Sequence, residues 1–343
     1  MLGTGFNDDM FGLAGNDTIS GLAGDDEIYG GSGDDILSGG LGDDYVDGNA
    51  GDDTLYAGPG NDTLIGGNGN DRFVLTSDMG ANNFFDAGNG YDTVDASGIT
   101  SGSAYWRFTA TSWEKFIGSL LSETIFGEAD SEEFVMGAGN DLIYTSDGID
   151  IQDGGTGTDA MSFIIGGITS GAYIDLGREK IKNDGFGNSE ITKSFETVYA
   201  YTPFDDVVIG SAGDNVIWAG SGRDIVRAED GNDYVVLTSA IKTVDGGNGT
   251  DTLNFNTTDR AIPGDAGFGF ETRTDGIKIN LYTNTIADGG FGDRGTVTGF
   301  EILIATGFDD KLFGSKNADT IYGIGGNDIV RGDDGDDLLF GEN

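Results

Sequence analysis

Residues 30–38 read Gly30-Gly31-Ser32-Gly33-Asp34-Asp35-Ile36-Leu37-Ser38, and the same nine-residue arrangement runs before and after them without a gap. From Gly3 to Val74 there are eight consecutive copies. The sixth position is aspartate in all of them: Asp8, Asp17, Asp26, Asp35, Asp44, Asp53, Asp62 and Asp71. The eighth is always apolar: Met10, Ile19, Ile28, Leu37, Val46, Leu55, Leu64 and Phe73. The fifth is Asn or Asp throughout, the first is glycine except at Ala57, and the fourth is glycine except at Phe6. A period held this strictly marks a stacked repeat rather than a single globular core.

The period predicts the geometry. Side chains alternate across a strand, so a strand over positions seven to nine points position eight inward and its two neighbours outward. The first six positions then form a turn, in which glycine supplies positive φ. One nonapeptide makes half a coil and two make a full turn, with strands stacked about 4.8 Å apart. Loops eighteen residues apart therefore lie one above another. Asp17 falls over Asp35, Asp53 and Asp71, while Asp8, Asp26, Asp44 and Asp62 line the opposite edge. The array holds six such stacked pairs of aspartates. Calcium is a hard cation that takes about six to eight oxygens, and two stacked loops offer carboxylates together with loop carbonyls.

These residues match the pattern G-G-x-G-x-D-x-U-x, with U a large apolar residue. The chain resembles the RTX family of secreted bacterial proteins. The resemblance implies a calcium-bound parallel β-roll with the same aspartate arrangement.

The phase returns downstream in weaker form. Position six falls at Glu123, Glu132, Asp141, Asp150 and Asp159, then at Asp206, Asn215, Asp224 and Asp233 with a skip to Asp251, and finally at Asp310, Asp319, Asp328 and Asp337. Asp92 reads as an isolated copy. The calcium-ligand candidates are the eight first-array aspartates together with Asp92, Asp141, Asp159, Asp224, Asp233, Asp251, Asp310, Asp319, Asp328 and Asp337. Glu123 and Glu132 carry a longer side chain, and Leu121 and Asp130 replace the fourth-position glycine, so those rungs read as metal-free coil. Asn215 brings one amide oxygen and no charge, so its site reads as weak or absent.

A longer duplication lies above the nonapeptide. Gly171 to Glu196 matches Gly276 to Glu301, sharing Ile174/Ile279, Leu176/Leu281, Gly185-Phe186-Gly187/Gly290-Phe291-Gly292 and Phe195-Glu196/Phe300-Glu301. Alternation at Ile277, Ile279 and Leu281 reads as strand. The expected organisation is an N-terminal roll over 1–95, a connector and degenerate block over 96–163, a β-rich insert over 164–199, a repeat block over 200–255, a duplicate insert over 256–304 and a last block over 305–343. The nearest approach to an amphipathic helix is Thr111 to Leu121, and Gly118 weakens it.

Composition narrows the function classes. Sixty Asp and Glu stand against 17 Lys and Arg, a formal net charge of -43, and there are 63 glycines but 3 prolines. Such a charge makes a compact state repel itself unless cations neutralise it. Yet 37% of residues are hydrophobic and 10% aromatic, too many for a solvating tail. No basic patch exists to engage nucleic acid or an anionic membrane surface, and no run approaches the length of a transmembrane helix. With neither cysteine nor histidine, disulfides, thiolate metal sites and Ser-His-Asp chemistry are excluded. Paired acids such as Asp34-Asp35 are too numerous to suggest glycosidase chemistry, and no metalloprotease, serine-hydrolase or Walker motif is present. The expectation is a non-enzyme. Positions seven and nine are too mixed (Thr18, Glu27, Ile36, Tyr45; Ser20, Tyr29, Ser38, Asp47) for a regular threonine face.

Three glutamates follow an aromatic before a block: Glu114 after Trp113, Glu196 after Phe195 and Glu301 after Phe300. Each reads either as a calcium ligand or, preferably, as a carboxylate accepting backbone N–H bonds at a coil end. Tyr105, Trp106 and Trp113 could stack on a sugar, but read better as a local core.

The chain is expected to be all-β, with parallel β-roll blocks joined by β-rich inserts in a solenoid. One inward apolar side chain per nine residues makes a thin core, so metal binding must supply folding free energy. The function expected is an extracellular calcium-binding structural or interaction module, secreted or attached to the cell surface, as in a surface-layer, adhesin or matrix protein. The alternative is the C-terminal folding and export module of a secreted RTX protease, lipase or polysaccharide epimerase. Partners beyond calcium would be further copies or a cell-surface polysaccharide. RTX resemblance implies type I export, which suits the missing N-terminal signal peptide; both termini fall within repeats, as in part of a larger protein.

Overall fold

The eighth position decides the architecture. Met10, Ile19, Ile28, Leu37, Val46, Leu55, Leu64 and Phe73 are all at most 4% exposed, while positions seven and nine on either side are exposed or half-exposed. The next inward position is usually glycine, which contributes no side chain to the interior. The computed structural model describes residues 1–77, 83–101, 104–106, 113–163, 167–238, 241–256, 275–290 and 294–341. Among these the protein is all-β, with one short 3-10 turn at Leu176–Arg178 and no α-helix. It divides into two compact units, Met1–Asp159 and Ala160–Asn343.

In the first unit two parallel ladders face each other across the row of position-eight side chains. One stacks Asp9–Ala14, Glu27–Ser32, Tyr45–Ala50, Thr63–Asn68 and Phe84–Asn89. The other stacks Thr18–Ala23, Ile36–Leu41, Thr54–Tyr56, Arg72–Val74 and Thr93–Asp95, then Lys115–Ile117, Glu133–Val135 and Ile151–Asp153. The register is eighteen residues, with Asp9 opposite Glu27 and Thr18 opposite Ile36. A third parallel ladder holds Ala104–Trp106, Glu123–Phe126 and Leu142–Tyr144.

Most strands in the first array are longer than three residues, Thr54–Tyr56 and Arg72–Val74 being the exceptions. Asp9–Ala14 and Glu27–Ser32 continue through position three of the next copy, skipping position one and resuming at Leu13 opposite Gly31. Position two takes a left-handed backbone there (Leu13 φ 76°, Leu22 φ 77°, Gly31 φ 114°), which brings the chain back into pairing. Thr54–Tyr56 stays short. The copy that follows it carries Pro59 at position three, which has no N–H to pair. At position four, a Cβ on Gly60 (φ 149°) would sit 1.7 Å from the Gly42 carbonyl oxygen, so stacking itself demands glycine.

In the second unit one ladder runs through Ala160–Ser162, Thr197–Ala200, Val216–Ala219, Tyr234–Leu237, Thr252–Asn254, Ile302–Ile304, Thr320–Tyr322 and Leu338–Phe340. The duplicated inserts enter the opposite ladder as antiparallel meanders: Tyr173–Asp175, Lys180–Asn183 and Glu190–Lys193, and again Lys278–Asn280, Thr285–Asp288 and Gly295–Thr298. Ile277, Ile279 and Leu281 are buried as their alternation predicts. Phe291 and Gly292 of the shared motif lie outside the described residues.

The helix-like stretch ending at Leu121 is a strand where it is described, Lys115–Ile117, because Phe116 and Trp113 pack on Phe134 in the coil interior. Trp113 is thus core; the side chains of Tyr105 and Trp106 lie outside the described residues.

Truncating an inward residue removes one of few apolar contacts in its rung. Leu55→Ala is expected to destabilise the calcium-loaded protein by about 2–5 kcal/mol, whereas Thr54→Ala, one residue away and facing out, should change it by less than about 0.5 kcal/mol. Urea unfolding midpoints measure both, and equal effects would contradict the assigned faces.

Candidate metal centre

Position six closes each turn, and its two carboxylate oxygens have different environments. One accepts the backbone N–H of the position-six residue a full turn earlier. Asp8 N–H donates to Asp26 Oδ1 at 2.8 Å and Asp17 N–H to Asp35 Oδ1 at 2.7 Å. Asp26, Asp35, Asp44 and Asp53 donate likewise to Asp44, Asp53, Asp62 and Asp71 at 2.7–3.0 Å. All six pairs expected from the period are therefore in contact. Downstream, the same bond joins Asp141 to Asp159, Asp206 to Asp224, Asp233 to Asp251, Asp310 to Asp328 and Asp319 to Asp337.

The second oxygen is stranded. Oδ2 of Asp17, Asp26, Asp35, Asp44, Asp53, Asp62, Asp71, Asp92, Asp141, Asp224, Asp233 and Asp251 is buried with no hydrogen-bond partner, as is that of Asp206. Its neighbours are other acceptors. Over Gly21, Asp26 Oδ2 and the Gly39 carbonyl oxygen lie 2.1 and 2.5 Å from the point a Cβ would occupy. Asp53 Oδ2 and the Gly66 carbonyl converge over Gly48 in the same way, at 2.4 and 2.7 Å. Where alanine replaces that glycine, at Ala57 and Ala87, Oδ2 of Asp62 and Asp92 is still unpartnered. A buried carboxylate oxygen facing a carbonyl and no donor fits a cation, and all-oxygen donors suit calcium. Among the described residues no three acidic side chains converge on one point. Each site would therefore join one or two carboxylates to loop carbonyls.

The remaining candidates differ. Asp8, Asp310 and Asp319 accept bonds from Thr4, Thr306 and Ser315 of their own turn. Asp159 is buried. Asp328 and Asp337 are half-buried near the end of their ladder, with Oδ2 pointed at Gly323 and Gly332.

The ladder also continues where the nine-residue spacing breaks. Asp62 N–H donates to Asn83 Oδ1 at 2.5 Å, and Asp71 N–H to Asp92 Oδ1 at 2.7 Å, each across 21 residues. Asp92 is therefore not isolated: the stack resumes past the break in spacing. Asp92 N–H in turn donates to Glu114 Oε2 at 2.6 Å, and Asp251 N–H to Glu301 Oε2 at 2.9 Å across fifty residues. Both glutamates accept backbone N–H bonds and occupy the sixth position of the next rung. Asn83 carries no spacing signal; Glu114 and Glu301 are marked only by the preceding aromatic.

Electrostatics follow from burial. Loss of water, with neighbouring carboxylates adding to it, pushes the carboxyls of Asp53 and Asp62 up to about 7 and those of Asp44, Asp71 and Asp92 up to about 6. Asp141 and Asp233 rise to about 7 and Asp224 to about 9 for the same reason. Loss of water, with the Asp150 carboxyl beside it, pushes the Glu132 carboxyl well above its usual range. With Glu123 closed by Ser119, this pair suits a metal-free rung.

The family model for the RTX calcium-binding nonapeptide repeat (4 copies) matches residues 2–37, 38–73, 202–235, 297–329 and 304–339. The block at 96–163, where glutamates replace aspartates, lies outside the matches. No curated protein matches the chain.

A carboxyl whose folded pKa is raised binds its proton more tightly in the coil than in the open chain. The metal-free coil is thus favoured at low pH and loses stability as pH rises through 6 to 7 and beyond. Calcium must displace those protons, so its apparent affinity should weaken as pH falls through the same window. Chelator-treated protein should show more β-structure at about pH 5 than above pH 7 by circular dichroism. Calcium titrations with the same midpoint across that window would contradict the buried, proton-competing carboxylates.

Proposed function

We propose that this chain, which carries RTX calcium-binding nonapeptide repeats, is an extracellular module that folds when it meets calcium outside the cell and serves as a structural or interaction element of a surface-layer, adhesin or matrix type protein. The observation that carries the reading is the row of stranded Oδ2 atoms. A coil that buries a carboxylate oxygen against carbonyls at rung after rung is held together by cations or by protons. At neutral pH the cation is the better partner, because the chain already carries a net charge of -43.

The apolar interior does not substitute for it. Each rung contributes one inward side chain and a glycine, so metal binding and folding are one event. Calcium modules of the extracellular type bind at about 10⁻⁴–10⁻³ M, far above cytosolic calcium. Such a module stays open inside the cell and closes outside it. The role is architectural rather than catalytic: the buried acids are committed to the backbone of the neighbouring turn, and a carboxylate held by calcium is a poor proton donor. Further copies of the chain or a cell-surface polysaccharide are the partners proposed for the finished coil.

Far-UV circular dichroism during a calcium titration, with light scattering in parallel, tests this. The chelated chain at neutral pH should be largely unfolded and gain β-structure with a midpoint near 10⁻⁴–10⁻³ M. A spectrum indifferent to chelator removes the reading. A midpoint below the micromolar range keeps the calcium module but removes the extracellular trigger. Scattering that rises with calcium identifies self-assembly, and constant scattering directs the search to a different partner.

A further inference from the structure

Position two of the nonapeptide distinguishes two kinds of turn, those with a left-handed backbone there and those with serine or threonine; Gly220, which is neither, also leaves Asp224 Oδ2 unpartnered. At Leu13, Leu22, Gly31, Gly40, Asn49, Gly58 and Gly67 the backbone is left-handed, with φ from 72° to 114°. In each of these turns the aspartate four residues on keeps Oδ2 buried and unpartnered, from Asp17 to Asp71. Neither the position-two N–H nor a hydroxyl reaches it.

Serine or threonine at position two behaves otherwise. These residues avoid the left-handed region, and in five turns both of their donors reach the side chain four residues on, whereas Ser146 brings only its hydroxyl to Asp150, at 3.4 Å. Thr4 gives its N–H and hydroxyl to Asp8 Oδ2 at 2.6 and 2.8 Å. Thr306 gives its N–H to Asp310 Oδ2 at 2.9 Å and its hydroxyl to both oxygens at 3.0 Å. Ser315 gives its N–H to Asp319 Oδ2 at 2.5 Å and its hydroxyl to Oδ1 at 3.0 Å. Ser119 closes Glu123, and Ser211 closes Asn215, in the same way. Thr202 is intermediate: its hydroxyl takes Asp206 Oδ1 at 2.7 Å and leaves Oδ2 unpartnered.

We propose that position two selects which rungs take calcium. A left-handed residue leaves the carboxylate facing carbonyls alone, which suits an ion that accepts only oxygens with lone pairs to offer. Serine or threonine puts two donors where the ion would sit, and charge-assisted hydrogen bonds of this length are strong ones. Asp8, Glu123, Asn215, Asp310 and Asp319 therefore hold no calcium. Asp328 and Asp337, whose turns carry left-handed Ile324 and Asp333, take it within the same block. The closed rungs fall within the first two copies of each repeat block. They give the calcium-bearing rungs a metal-independent turn to stack on. This rests on the calcium reading given above.

The test counts calcium on the whole chain by equilibrium dialysis and elemental analysis, for the wild type and for Thr306→Gly/Ser315→Gly. The variant should bind one additional calcium for each opened rung. A wild type that binds calcium and a folded variant with the same count overturn the selection rule while leaving the calcium reading standing. A wild type that binds none overturns both. If the variant does not fold, calcium-grown crystals of the wild type decide: cations at Asp328 and Asp337 with none at Asp310 and Asp319 support the rule, and a cation on either of the latter overturns it.

Discussion

The structure depends on a division of labour within one functional group. Each position-six carboxylate gives one oxygen to the N–H of the turn beneath it, and that bond sets the eighteen-residue register. From Asp17 to Asp71 the other oxygen then faces the interior, where no donor awaits it. A residue that satisfied both oxygens from within the protein would make a metal-free coil. One that satisfied neither would not stack. Aspartate opposite glycine does half, and the half left over is the calcium chemistry.

That arrangement explains the composition. Glycine is concentrated where stacked turns approach each other's carbonyls, as at Gly60 over Gly42. The space a core would fill is narrow, so a coil of this kind cannot be stabilised by oil alone. Charge that would disrupt a globular protein becomes the means of holding this one, provided a divalent cation is present. The raised carboxyl pKa values express the same fact from the proton's side: each buried oxygen seeks positive charge of whatever kind.

Much of this was legible in the sequence because the repeat is strict. Period, inward row, register and the stacked pairs from Asp8 to Asp71 follow from counting. The parts that escaped are those where physical role and spacing separate. Asn83 and Glu114 complete the ladder from positions 21 and 22 residues beyond Asp62 and Asp92, distances set by the length inserted rather than by the turn. Strands of six residues escaped because the left-handed position two, which lets pairing resume at Leu13, is filled by leucine and asparagine as well as glycine. The strand at Lys115–Ile117 escaped because its short apolar run is ambiguous between periods until Trp113 and Phe134 fix its place.

The duplicated inserts show how strictly the ladder constrains what may be added to it. Each insert brings three strands in place of one, and three is the smallest number above one that restores the chain direction in an antiparallel meander. At the head of each, the bond to the next carboxylate is kept although the residue donating it is apolar: Ala172 N–H donates to Asp206 Oδ1 at 2.7 Å and Ile277 N–H to Asp310 Oδ1 at 2.6 Å. The donor's side chain is free to change because the bond uses only its backbone. The acceptor cannot change in that way, since without an acceptor oxygen at that place the turn below has nothing to hold. Insertions are therefore tolerated on the donating side of the bond, and the carboxylates that receive it, Asp206 and Asp310, are retained at the same step of both copies.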